Sequence, residues 1–170
     1  MFTSIAKKML LLCMVSAVLF SFSLPAKYQA NFSGSWTLNE GKSDLGQFGA
    51  RGAASKIVID QKTEDVTITR TSTGFQGETL NTTETLTADG KPSESTFLGS
   101  AKKKSTMKWA ADGQSFTVSA SISMERNGQS FDMTGSETWS LGADGKTFTL
   151  QNSLTTPQGE FKTTALYDKQ

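Results

Sequence analysis

The chain has 170 residues, 17 Lys and Arg against 16 Asp and Glu, one cysteine and no histidine. The lack of histidine excludes Ser-His-Asp and Cys-His nucleophiles, His-ligated zinc and proximal-His haem. The near-neutral charge excludes a global basic field for nucleic acid, and the length fits one domain.

The chain opens with Lys7 and Lys8, an apolar run from Met9 to Phe22, and Leu24-Pro25-Ala26. A short charged start, an apolar middle and a small-residue exit predict a signal peptide over 1–26, a cleavable signal helix, with cleavage as late as 30 as the alternative. The apolar run falls short of the roughly 20 residues a spanning helix needs. The expected location is therefore secreted or periplasmic. Cys13 lies inside the apolar run, so the remaining chain has no disulfide. Without Lys7, Lys8 and Lys27, 14 basic side chains face 16 acidic ones.

From residue 31 to 170 a single domain is expected. Ser35–Asn39 reads as a first strand. Glu40–Ala54, rich in Gly and charge, reads as a loop or short helix capping one mouth. Ile57 and Ile59 share a face, and Val66 and Ile68 follow after a turn. Leu80 and Leu86 share parity, with Thr83, Thr85 and Thr87 opposite. Lys102-Lys103-Lys104 reads as a solvated loop or a protected strand edge. Phe116, Val118, Ala120, Ile122 and Met124 alternate with Thr117, Ser119, Ser121 and Ser123. Phe131, Met133, Trp139 and Leu141 return, then Phe148, Leu150 and Leu154, and finally Phe161, Ala165 and Tyr167.

Asp89-Gly90, Asp112-Gly113, Asn127-Gly128 and Asp144-Gly145 supply the positive backbone dihedrals of tight hairpins. One phrase occurs twice: Trp109, Asp112-Gly113, Phe116-Thr117-Val118, and Trp139, Asp144-Gly145, Phe148-Thr149-Leu150. Each copy predicts one hairpin of a meander. Phe116 follows Trp109 more closely than Phe148 follows Trp139, which predicts turns of different length. Period-two alternation without crossover helices predicts an all-β fold: an up-and-down antiparallel β-barrel of about 8–10 strands. One face of each strand carries Thr, Ser, Lys and Asp, opposite to the apolar outer face of a membrane barrel.

Asn31-Phe32-Ser33-Gly34-Ser35-Trp36-Thr37-Leu38 resembles the Phe-x-Gly-x-Trp-x-Leu opening of the calycins, the lipocalins and fatty-acid-binding proteins. Thr87–Lys91 and Thr163–Lys169 are similar to a mid-barrel hairpin and the last strand of the fatty-acid-binding branch. The ordered set most resembles secreted bacterial lipocalin-like proteins. The resemblance implies that Gly34 and Trp36 are structural, the indole plugging one end, with Lys162 or Lys169 stacked on it. It also implies an arginine at position 165 to hold a ligand carboxylate; this chain has Ala165 there and keeps Tyr167. The family's two-helix lid is longer than Glu40–Ala54.

Polar residues at inward parity are the candidate site: Arg70 after Ile68, Glu84 between Leu80 and Leu86, Glu137 between Met133 and Trp139, and Asn152 between Leu150 and Leu154. A charge facing an apolar interior must be paired, hydrated or ligand-bound. An internal Arg-Glu pair, a bulge or fray that turns the side chain to water, and a ligand-holding role for Arg70 with Tyr167 all satisfy that rule. Trp109 and Trp139 complete the expected ligand-binding set, as lining or as core. The expected function is binding of a small hydrophobic or amphipathic molecule by a monomer. The alternatives are a filled barrel acting through its outer surface, and buried-carboxylate catalysis by Glu84 and Glu137. No loop has EF-hand spacing, and Asp89, Asp112 and Asp144 read as turn residues, so no metal, cofactor or catalytic residue is expected.

Overall fold

The computed structural model describes residues 29–170, except 75, 98–100 and 127. The signal segment expected over 1–26 lies outside the described residues. Ten strands follow in chain order: β1 Gly34–Leu38, β2 Lys56–Gln61, β3 Asp65–Thr73, β4 Thr79–Thr87, β5 Ser93–Phe97, β6 Ala101–Trp109, β7 Ser115–Arg126, β8 Gln129–Leu141, β9 Thr147–Thr156 and β10 Gly159–Lys169. They form one antiparallel sheet in the order β4-β3-β2-β1-β10-β9-β8-β7-β6-β5. Pairing of β1 with β10, Trp36 opposite Lys169, joins the first and last of these strands. The sheet curls into a barrel with one unsealed seam, between β4 and β5. No described helix is long and apolar enough to cross a membrane.

The alternation read from the sequence becomes an inside and an outside. Ile57, Ile59, Val66, Ile68, Leu86, Met107, Phe116 and Val118 are buried. Outward threonines pair across strands, Thr67 with Thr85 at 3.0 Å and Thr69 with Thr83 at 3.1 Å. The exposed large hydrophobics among the described residues are Phe48 and Val58.

Three Asp-Gly turns share one construction. Those at Gly113 and Gly145 close hairpins, whereas the expected hairpin at Asp89-Gly90 is corrected to a turn between β4 and β5, which do not pair. The glycine has positive φ, 75° at Gly90, 72° at Gly113 and 65° at Gly145. The aspartate carboxylate accepts the main-chain N–H two residues on, from Lys91, Gln114 and Lys146. The expected difference in turn length is corrected here. Trp109 pairs with Phe116, and Leu141 pairs with Phe148, so the two turns are equally long. The spacings differ because Trp139 sits one inward position further from its turn, opposite Leu150.

These hairpins gather the aromatic side chains at one end of the barrel. Phe116, Trp139, Phe148 and Tyr167, from β7 to β10, stack in sequence with centroids 5.5, 5.3 and 4.7 Å apart. Phe32 meets Phe116 edge-on at 5.0 Å, and Trp36 meets Phe148 at 4.9 Å. This floor is a filled core, each ring contributing its buried area and offset or edge contacts. The Trp36 indole N–H donates to the Phe32 carbonyl at 2.9 Å. The Lys169 ammonium lies 5.1 Å from the Trp36 ring centroid, the stacking that the calycin resemblance implies. Lys162 instead pairs with Glu160 on the surface at 3.0 Å. Gly34, at φ 144°, lets Lys169 pass: a Cβ there would lie 2.8 Å from Lys169 Cε.

The opposite end carries the cap expected over Glu40–Ala54. Two short 3-10 segments, Glu40–Lys42 and Gly46–Gly52, cross the mouth, the second kinked at Gly49. Phe48 packs on Phe161 at 5.3 Å, and Asp44 bridges to Thr164 of β10.

Candidate functional site

Between cap and floor the barrel is not filled. A cavity of about 420 Å³ lies there, lined among others by Phe48, Ile57, Leu80, Ile122, Met124, Met133 and Leu154. Two features leave the space. Ten strands enclose a wider interior than the eight that side chains just fill. Small residues also meet at one level: Ser105 opposite Ala120, Ala120 opposite Gly135. A second cavity of about 130 Å³ lies at the seam, between Thr82, Thr83 and Glu84 of β4 and Ser95, Thr96 and Phe97 of β5.

Charged side chains separate the chamber from the floor. Arg70 of β3 pairs with Glu84 of β4 through Nη1 and with Glu137 of β8 through Nη2, the latter at 2.7 Å. Its guanidinium lies 5.3 Å from the Trp139 ring centroid. Lys103 Nζ donates to both oxygens of Glu84, at 3.1 and 2.8 Å. Ser105 Oγ adds a longer bond to the same carboxylate, and the Trp139 indole N–H donates to Glu137 Oε2 at 3.2 Å. Two cations and two anions thus form one network, closed on itself.

Burial pushes the Glu84 carboxyl up, but the charges and hydrogen bonds of Arg70 and Lys103 overcome it and hold it down to about 2. Burial works against the charged form of Arg70, yet Glu137 and Glu84 raise its pKa above the ordinary arginine value. Burial pushes the Tyr167 phenol up. Its hydroxyl donates to the Ala54 carbonyl at 2.9 Å, tying β10 to the end of the cap.

The expected site residues divide by place. Arg70, Glu137, Asn152 and Tyr167 line the large cavity; Glu84 lines the smaller one beside Arg70 and Glu137. Glu137 and Asn152 are direct cross-strand partners. Trp139 lies wholly in the floor, beneath Arg70, and Trp109 packs there against Phe32 and Phe116. Arg70 is paired internally, with two glutamates rather than one.

The structure corrects the reading of Lys102–Lys104. They lie within β6, which pairs with β5 on one side and β7 on the other, so they form neither a loop nor an edge. Lys103 is 8% exposed, whereas Lys102 and Lys104 point outward. The signal was present: Ala101, Lys103, Ser105 and Met107 share one parity. A lysine at that position is tolerable because Glu84 supplies the opposite charge.

No family model matches this chain, and comparison with curated proteins and with solved structures gives no match.

Proposed function

We propose that this protein binds a small hydrophobic or amphipathic molecule inside the barrel and performs no chemistry on it. The carrying observation is the cavity of about 420 Å³, apolar around most of its wall and ending on a few convergent polar groups. That size and lining are those of small-molecule sites in general. A filled barrel acting only through its outer surface would leave no such space.

The electrostatics favour binding over catalysis. A general acid needs a raised carboxyl pKa in a dry site. Glu84 is held down to about 2, and both glutamates are tied to Arg70. In this reading the chain is a lipocalin-like carrier, acting as a monomer outside the cytoplasm. Gly34, Trp36 and the Lys169 stacking support that kinship. The test is native mass spectrometry of protein purified from its host. A co-purified apolar molecule of fixed mass, lost when the chamber is blocked, is expected. A protein that is always unliganded, and that takes up no apolar probe, would overturn the reading.

A further inference from the structure

The binding role names no head group, but the network at the base of the chamber does. Among the described residues lining the two cavities, the ionisable side chains of Asp, Glu, Lys and Arg are Arg70, Lys103, Glu84, Glu137 and Arg51. Arg51 is exposed at the mouth. The other four sum to zero charge, and each is already in an ion pair. An anionic head placed there would compete with two glutamates for Arg70. An ammonium would compete with Arg70 for Glu137. Either would bring an unbalanced charge into a poorly solvated site, which is strongly unfavourable.

What the network leaves open is hydrogen bonding. Glu137 engages its partners through Oε2 alone. Among the described residues, neither Glu137 Oε1 nor the Asn152 side chain has a hydrogen-bond partner. The two sit opposite one another on β8 and β9 and both line the chamber. Glu137 offers an acceptor, and the Asn152 amide offers a donor and an acceptor.

We propose that the group received at the base of the chamber is uncharged and both donates and accepts a hydrogen bond, a hydroxyl or an amide on an apolar body. The proposal rests on the binding role above. The hydroxyl or amide donates to Glu137 and accepts from Asn152, and the apolar body fills the space among Ile122, Met133 and Leu154.

Isothermal titration of 1-decanol, decanoate and decylammonium at pH 7 tests this. Decanol should bind the unmodified protein at least about tenfold more tightly than either ion. Glu137→Gln leaves the network with net charge +1 and should shift preference toward decanoate. Arg70→Met leaves it at −1 and should shift preference toward decylammonium. Asn152→Leu should weaken decanol without reordering the two ions. Decanoate or decylammonium binding as tightly as decanol to the unmodified protein overturns the proposal and leaves the binding role standing. Failure of all three probes to bind removes both. A folded Glu137→Gln protein, checked by circular dichroism, with unaltered head-group preference also overturns it. If the charge variants do not fold, the ranking on the unmodified protein still decides.

Discussion

Arg70 Nη2 reaches Glu137 Oε2 at 2.7 Å from the opposite side of the barrel, across 67 positions of sequence. The contact links β3 to β8, which are not neighbours in the sheet, and sets the depth at which the filled floor gives way to the chamber. A buried ion pair of this kind adds little over a well-packed apolar pair. Its removal from one side is costly, because the partner stays buried and charged.

Arg70→Met should therefore destabilise the protein by about 3–5 kcal/mol, since Glu137 loses its cation and Glu84 keeps only Lys103. Urea unfolding of both proteins measures the difference. A loss below about 1 kcal/mol would mean that Glu84 and Glu137 reach water once the guanidinium is gone.

Acid should unfold the protein partly through Glu84. Its carboxyl falls from an ordinary 4.5 to about 2 on folding, so the folded state binds the proton less readily than the unfolded chain. The resulting stability is present above pH 4.5 and is lost as pH falls from there toward 2. The amount is of the order of 3 kcal/mol. Glu84→Gln should be less stable at neutral pH and should lack this component of the acid slope. Unfolding free energies of the two proteins between pH 6 and 2 give the comparison; parallel slopes would contradict the assignment.

Gly34→Ala should cost about 1–3 kcal/mol, because φ at 144° is strained for a side-chain-bearing residue. Part of the loss comes from the approach of the new Cβ to Lys169 Cε at 2.8 Å. In a Lys169→Ala background the contact part disappears while the backbone strain remains, so the substitution should cost less there. Thermal unfolding of the double-mutant cycle separates the two. Equal costs in both backgrounds would show that the lysine moves aside freely.

Ala120→Phe should close the chamber without harming the fold. Ala120 lines the cavity, and its neighbours Ser105 and Gly135 are small, so the ring enters empty space rather than packed atoms. Stability should change by no more than about 1 kcal/mol, while uptake of apolar probes should be lost. Retained uptake, measured by quenching of tryptophan fluorescence, would place the binding site elsewhere.

Much of this molecule is written in local pattern. Period-two alternation put Arg70, Glu84, Glu137 and Asn152 on the inward face, because side-chain direction in a strand depends only on parity. Asp-Gly marked three turns, two of which close hairpins, because the glycine accepts positive φ and the aspartate closes the turn on its own main chain. Lys103 shared that inward parity, yet it read as solvated, because a run of three lysines is ordinarily a surface feature. Only the tertiary structure decided which inward charges meet. Arg70, Glu84, Lys103 and Glu137 come from four strands, and their distances depend on barrel radius, strand order and curl. The same holds for the chamber. Its volume is the small difference between what ten strands enclose and what their side chains occupy, a quantity that no stretch of sequence carries alone.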